Sequence, residues 1–381
     1  MLLSGGRALA PIGRPAVSAT QPAKHPLWLA AAAAAGANPA PSASSGASAP
    51  PPRIVLIASD VDGTLLDPRQ KLSPRVAAAA RAAATRAGVP LIVATGKARG
   101  PWAETVLPAL YAAGAPAAAM PGVFLQGLLV ADASGRTLWS RALEEEALLA
   151  AVRLARGLGL TLAAYAGGRI LAERADEHTD RLLFYGEPAP EGLGPLDALL
   201  ARGVLPPVQK VIFMGSAERA DAARAEIEAK FGGGGGGDCG GGGGARGSVT
   251  TALPGMVELL PPGASKGAGL RWLLDNALPP EVERAWRRRQ EEGGEGGDAG
   301  GGGGGGGGPL LRGLLAMGDG ENDLEMLRAA EWPVAMGNAC AALKGAARAV
   351  VASNAADGAA EAIERFVLAP RGLTAAGAPG L

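Results

Sequence analysis

Five consecutive residues, Asp60-Val61-Asp62-Gly63-Thr64, carry the strongest chemical signal in this sequence. In an extended backbone the side chains of Asp60 and Asp62 point to the same side, about 6–7 Å apart at Cα. Two carboxylates so placed repel each other, and repulsion, burial and any bound cation push their protonation apart. One can then stay ionised as a nucleophile while the other gives and takes a proton. Gly63 lets the chain turn away from the pair. A solvated acidic turn or a calcium-like loop uses the same residues, so the pair alone leaves its chemistry open.

Three further segments supply what an aspartyl nucleophile needs. In Thr95-Gly96-Lys97 a hydroxyl and free backbone N–H groups follow an apolar run, a setting that suits a phosphoryl oxygen; a plain strand-end turn is the alternative. Lys266, in Gly263-Ala264-Ser265-Lys266-Gly267, offers an ammonium to neutralise phosphate charge and restrain Asp60, although a solvated lysine near a helix start has the same sequence. Gly318-Asp319-Gly320-Glu321-Asn322-Asp323-Leu324 sets acids at a strand end beside a helix N-terminus. Mg²⁺ takes oxygen ligands, only a few of them carboxylates, so Asp319 is the candidate ligand, with Asn322 and Asp323 orienting the set. An acidic helix cap is the other reading of Asp323.

For these segments to meet, each must end a strand or open a helix. Residues 54–57, 91–94, 314–317, 334–336 and 350–352 read as short apolar strands buried on both faces. Ser73 and Pro74 open an Ala-rich helix that ends near Gly88, and helical stretches at 323–330 and 341–347 separate the last three strands. That alternation predicts an α/β fold, a Rossmann-like doubly wound parallel sheet with its site at the carboxyl ends of the strands. The middle differs. Runs at 123–131 and 136–140 flank the turn cluster Asp132-Ala133-Ser134-Gly135 and predict a hairpin; residues 160–165 and 169–172 predict another across Gly167-Gly168. A helix at 144–156 is expected to bury Leu148, Leu149, Val152 and Leu154. A strand at 211–214, a helix at 217–230 and strands flanking Pro254-Gly255 complete an α+β unit. The predicted organisation is therefore a core from 54–100 and 262–370 with a cap domain inserted at 101–261.

Taken in this order, the segments resemble the four motifs of the haloacid dehalogenase superfamily, in its Cof-type branch with a large α/β cap (cap class IIB). Val334-Ala335-Met336-Gly337-Asn338-Ala339 and Ser353-Asn354-Ala355-Ala356-Asp357-Gly358 resemble the tail of that branch, and the likeness covers residues 53–368 apart from two glycine tracts. The resemblance implies a phosphoric monoester hydrolase working through an aspartyl phosphate. Asp60 would attack phosphorus, and Asp62 would protonate the leaving alcohol and then deprotonate the hydrolytic water. Mg²⁺ would be held by Asp60, the backbone carbonyl of Asp62 and Asp319, with Asp323 in the metal set. Thr64, Thr95, Gly96, Lys266 and Asn322 would hold the phosphate. The implied substrate is a small phosphorylated metabolite, a sugar phosphate or a nucleotide-like phosphoester. A phosphomutase of related fold would retain the phosphate, and a non-catalytic phosphometabolite-binding protein would not need both aspartates. Two residues depart from the pattern: Lys97 stands where Arg is common, keeping charge but losing a bidentate fork, and Gln126 stands where many relatives have Asn before Gly. Both bear on substrate contacts.

Composition bounds the rest. Basic and acidic residues balance at 36 each, so no global field points to nucleic acid or an anionic membrane, and no apolar run approaches the roughly 20 residues of a membrane span. Residues 1–53 contain Arg7, Arg14, Lys24 and Arg53, much Ser, Ala and Pro, and no acid, which predicts an organelle transit peptide. A plastid (stromal) destination is preferred to the mitochondrion because Ser, Ala and Pro outweigh Arg; a cytoplasmic protein with a disordered tail is the alternative. Glycine tracts at about 232–247 and 291–308 are expected to be flexible insertions, because such chains bury too little surface to offset their ordering entropy. The two cysteines, Cys239 and Cys340, make no disulfide framework and read as thiols of a reducing compartment.

Overall fold

The computed structural model describes residues 53–111, 120–232, 247–292 and 310–375. The expected transit segment up to residue 52, most of both glycine tracts and Cys239 lie outside them. The chain begins β1 (Leu56–Ser59), α1 (Pro74–Arg86), β2 (Leu91–Val93), α2 (Pro101–Leu110), β3 (Gly122–Phe124), β4 (Leu129–Ala131) and β5 (Thr137–Ser140). It continues through α3 (Glu145–Leu158), β6 (Thr161–Ala166), β7 (Arg169–Ala172), α4 (Glu177–Phe184), β8 (Pro190–Gly192), α5 (Leu196–Ala201), β9 (Lys210–Met214), α6 (Ala217–Phe231), β10 (Ser248–Leu253) and β11 (Met256–Leu260). It ends with α7 (Lys266–Asn276), α8 (Pro280–Glu291), β12 (Leu311–Gly318), α9 (Leu324–Ala329), β13 (Ala330–Ala335), α10 (Ala341–Ala346), β14 (Ala349–Val350) and α11 (Gly358–Ile363).

The core sheet has the order β14-β13-β12-β1-β2, every pair parallel. β1 and β2 are buried along their whole length, as is β12 from Gly313 onward, as apolar runs require when helices cover both faces. Ser59 stands beside Met317 and Val93, so the carboxyl ends of β1, β12 and β2 are level. Ser73 caps α1 as expected, its hydroxyl accepting from Val76 N–H at 3.1 Å, with Pro74 in the first turn.

A second sheet of six strands runs β10-β11-β9-β6-β7-β8. Side chains alternate along it with the period of two that a strand imposes. Leu162, Ala164, Val211, Phe213, Val257 and Leu259 join one apolar cluster with α3 and α6. Ala163, Tyr165, Ile212, Met214 and Met256 join the cluster of the core sheet instead. This sheet is thus covered on both faces. Gly232, after α6, and Gly247, before β10, form a parallel bridge.

Three expectations need correction. The run 123–131 is not one strand but β3 and β4, paired antiparallel, because Leu125, Gln126 and Gly127 take left-handed φ values of 53°, 57° and 87°. Apolar continuity hides such a reversal, since Leu and Gln rarely adopt that conformation. In α3 the buried stripe runs through Ala147, Leu148, Ala151, Val152 and Ala155, which leaves Leu149 and Leu154 only partly buried. Residues 122–140, expected in the inserted unit, sit with the core: Val123 bridges Ala94 in parallel, and β3 and β4 belong to the core-sheet cluster. Among the described residues no helix is long and apolar enough to cross a membrane.

The left-handed turn yields a stability test. A Cβ on Gly127 would lie 1.9 Å from the carbonyl oxygen of Ser265, whereas one on Gly88, at φ +67°, would meet nothing within 4 Å. Gly88→Ala should therefore cost only backbone strain, about 1 kcal/mol, and Gly127→Ala about 2 kcal/mol or more. Urea denaturation of both variants checks the difference, and equal costs would show that the close approach is not real.

Candidate active site

Asp60 follows the last residue of β1, its N–H donating to Met317 O at 3.0 Å. Asp60 (φ −64°, ψ 163°) and Asp62 (φ −75°, ψ 131°) are themselves extended, and Gly63 at φ 72° lies within a tight turn closed by Leu66 N–H on Val61 O at 2.9 Å. A Cβ at Gly63 would lie 2.2 Å from Asp319 Oδ2, so only glycine lets the turn approach that carboxylate. Lys266 opens α7, where Ser265 caps the helix by accepting from Ala268 N–H at 2.9 Å. Its Nζ lies 2.7 Å from Asp60 Oδ1 and 2.8 Å from Asp323 Oδ1. Asp323 Oδ2 accepts from the N–H groups of Asp319 and Gly320, both at 3.0 Å. With both oxygens so engaged, Asp323 chiefly fixes Lys266 and the loop after β12.

Asp319 is braced from two other loops. Asn338 Nδ2 donates to its Oδ2 at 3.1 Å and to Gly63 O at 2.8 Å, and Thr64 Oγ1 lies 3.4 Å from its Oδ1. Asn354 N–H donates to Asn338 Oδ1 at 2.9 Å, and Asn354 Nδ2 donates to Leu66 O at 2.8 Å. Asp60, Asp319 and Asp323 each offer an oxygen within 4.8 Å of the others. Burial first, and then Asp323, pushes the Asp60 carboxyl well above the usual carboxylate range; Lys266 offsets only part of this. The same two causes push Asp319 up to about 7. Burial pulls the Lys266 ammonium down, but Asp323 and Asp60 outweigh it and raise it. This excess of buried negative charge, offered by hard oxygen donors at a strand end, fits a divalent cation of the magnesium type.

Asp62 has other surroundings. Its Oδ1 lies 2.7 Å from Lys97 Nζ, which also donates to Gln70 Oε1 at 3.0 Å and sits over the Trp102 ring at 5.4 Å. A cavity of about 120 Å³ lies between Asp60, Asp62 and Lys266 on the core side and Tyr165, Tyr185 and Met256 on the other. Gln126 Nε2 donates to Glu258 Oε2 at 3.0 Å, and Asn322 Nδ2 donates to Gln126 Oε1 at 3.2 Å. Glu258 also pairs with Lys210.

Of the residues singled out from sequence, Asp60, Asp62, Gly96, Lys266 and Asn322 line this one cavity. Thr64 and Thr95 are buried beside it, and Asp319 and Asp323 complete the acidic group. A family model described as haloacid dehalogenase-like hydrolase matches residues 57–278 and 311–363. The chain belongs to that family. Its fold is shared with a haloacid dehalogenase-like hydrolase from Bacteroides thetaiotaomicron, 23% identical, over 82% of this chain and 99% of that one, at TM-score 0.61. A subclass IIB sugar phosphatase of the superfamily is 18% identical over 82% and 98%, at TM-score 0.57. A curated protein of Arabidopsis thaliana named "Endoribonuclease YBEY, chloroplastic" is 30% identical over 321 residues, 83% of this chain. The chain spans about half the length of that relative, 47%.

Asn338 and Asn354, which stand in the two tail segments, and Glu187, Lys210 and Glu258 are functional-site residues without an expected role from sequence. A usable signal existed for the last two: each puts a charge into an otherwise apolar strand, Lys210 opening β9 and Glu258 in the middle of β11.

The raised Asp319 carboxyl predicts a pH dependence. Its native value of about 7 exceeds the unfolded one, about 3.9, so between the two the native state holds the extra proton. Without divalent cation that contribution to stability is full below the unfolded value and is lost as pH rises through the native one. Melting in EDTA should therefore weaken between pH 5 and pH 8, and Mg²⁺ should raise Tm more at the higher pH, where no proton competes. Asp319→Asn should flatten both trends; unaltered trends in that variant would remove Asp319 as their source.

Proposed function

We propose that the protein is a Mg²⁺-dependent phosphatase that hydrolyses a small phosphorylated metabolite through an aspartyl phosphate on Asp60. The observation that carries this reading is the different company of two aspartates one residue apart. Asp60 is buried, held by Lys266 and grouped with Asp319 and Asp323; Asp62 is paired with Lys97 outside that group. Asp60, Asp319 and the backbone carbonyl of Asp62 would hold Mg²⁺, which when bound neutralises phosphate charge.

The chain's own groups then divide the work. An oxygen of Asp60 attacks phosphorus, and the bond from phosphorus to the ester oxygen breaks. Asp62 gives its proton to the leaving alkoxide. In the second half Asp62 takes a proton from water, the water oxygen attacks phosphorus, and the bond to Asp60 breaks to release inorganic phosphate. Lys266, Thr95 and the backbone at Gly96 bind the phosphoryl oxygens and keep the group in line, the positioning and charge stabilisation on which phosphoryl transfer depends. The roof over the cavity favours a small leaving group, such as a sugar or a nucleotide-like alcohol, over a protein surface. The relative's ribonuclease name belongs to a protein about twice as long, and the aspartate–lysine site assembled here supports the phosphatase reading for this chain. A plastid destination is supported by the acid-free N-terminal composition and by the word "chloroplastic" in that relative's name.

Release of phosphate from p-nitrophenyl phosphate should require Mg²⁺ and stop on chelation. Asp60→Asn should abolish turnover, and Asp62→Asn should lower kcat by about 10²–10⁴, the usual worth of a general acid–base. Full activity of Asp60→Asn would exclude Asp60 as nucleophile.

A further inference from the structure

Resting on that reading, we propose that Glu187 and Lys210 are positioning residues: from the six-stranded sheet side they hold the segment of residues 96–102, the loop after β2 and the start of α2, in its phosphate-binding shape, so the phosphate site is complete only when that side sits on the core. Lys210 Nζ donates to Gly96 O at 2.9 Å. Ala98 N–H donates to Glu187 Oε2 at 3.0 Å, and Trp102 N–H donates to Gly186 O at 3.2 Å. The core holds the intervening groups: Leu125 N–H donates to Lys97 O at 3.0 Å, and Gln126 N–H to Thr95 O at 3.1 Å. Alternate backbone groups of the loop are thus anchored to opposite sides of the cavity.

The Gly96–Lys97 peptide unit shows what this does. It is planar, so its carbonyl and its N–H point in opposite directions and cannot turn independently. Lys210 holds the carbonyl end, and the N–H end donates to Thr95 Oγ1 at 3.1 Å. Because Thr95 Oγ1 accepts there, its own proton is free to be given to a phosphoryl oxygen. Lys210 therefore acts on the phosphate through the orientation of one peptide and the donor direction of one hydroxyl.

Both side chains are committed to this task. Lys210 opposes Tyr165 in the sheet, lies over its ring at 4.6 Å and pairs with Glu258 on the same face. Glu187 is buried, with Oε1 3.4 Å from Tyr165 Oη. Burial pushes its carboxyl up to about 8, against the pull of Lys210 and Lys97. Either protonation state leaves an oxygen able to accept the Ala98 N–H.

The test uses the full chain with Mg²⁺ and two readouts: hydrogen exchange at the Ala98 and Trp102 amides, and inhibition of p-nitrophenyl phosphate turnover by inorganic phosphate. Glu187→Ala should speed exchange at Ala98 and raise the phosphate inhibition constant, each by about tenfold, the worth of one buried hydrogen bond. Glu187→Gln keeps an accepting oxygen and should behave as wild type in both. Lys210→Met combined with Glu258→Gln, which leaves no buried charge alone, should weaken phosphate in the same way while amides of β1 stay protected. Unchanged exchange or unchanged phosphate inhibition in Glu187→Ala would overturn the proposal, as would a Glu187→Gln variant as defective as Glu187→Ala. A wild-type protein that neither turns over the ester nor binds phosphate would overturn the phosphatase reading instead, with the exchange measurements still deciding whether the loop is held.

Discussion

Lys266 brings one positive charge into a pocket where three carboxylates offer oxygens within 4.8 Å of one another, and its place is set by close backbone packing. A Cβ on Gly269 would lie 2.5 Å from the Cα of Gly127, and one on Gly127 would strike the Ser265 carbonyl. Two glycines thus let α7 pack directly on the left-handed turn after β3, which puts the first residue of the helix between Asp60 and Asp323. Losing one partner of a buried ion pair is strongly destabilising, about 3–5 kcal/mol, because the other charge is left uncompensated. The same ammonium is therefore part of the scaffold as well as of the site. Its position depends on the turn at 125–127, and the positions of Asp60 and Asp323 depend on it.

That charge balance remains incomplete without a cation. Burial and the Asp323 carboxylate raise Asp60 and Asp319 together, so the acidic group is arranged for a greater positive charge than one lysine supplies. The six-stranded sheet answers the opposite problem. Its face toward the core carries Lys210 and Glu258 among Tyr165, Ile212 and Met256, and desolvating such a pair costs several kcal/mol per ion before their attraction is counted. Apolar side chains would cover the cavity at lower cost. The polar pair instead gives the roof a definite register on the core, through Gly96 on one side and Gln126 on the other.

Much of this was legible in the sequence, for identifiable reasons. Strands buried on both faces are continuous apolar runs, so all five core strands were located, with shifts at their ends; β1 pairs from Leu56 rather than from Ile54, and β13 begins at Ala330 rather than at Val334. Asp60, Thr95 and Asp319 lie within two residues of the ends of such strands, and parallel register brings those ends level. What escaped was conformation and distance. The turn at Leu125 and Gln126 uses residue types that do not announce left-handed φ, and it alone divides β3 from β4. Lys210 and Glu187 touch loop backbone 114 and 89 residues away, and a backbone partner leaves no mark in side-chain pattern. Asn338 reaches Asp319 across only 19 residues, but through a loop whose path depends on how β13 and β14 pair.

The separation of roles proposed for Asp60 and Asp62 rests on these same constraints. Both residues have extended backbone angles, and chemistry alone would make them interchangeable. Asp60 meets a lysine that is itself shared with Asp323, at the side of the pocket where the carboxylates crowd. Asp62 meets Lys97, whose other neighbours are the Gln70 amide and the face of Trp102. Its side chain keeps about a third of its surface exposed, against 7% for Asp60. A carboxylate that must attack phosphorus benefits from exclusion of water and a fixed orientation; one that must pass protons to an alcohol and from water benefits from access to the cavity and a compensating charge of its own. Lys97, where a relative of this family would commonly carry arginine, would suffice for the second of these proposed tasks, because pairing with one carboxylate oxygen and one amide oxygen needs a compact charge and not a planar fork.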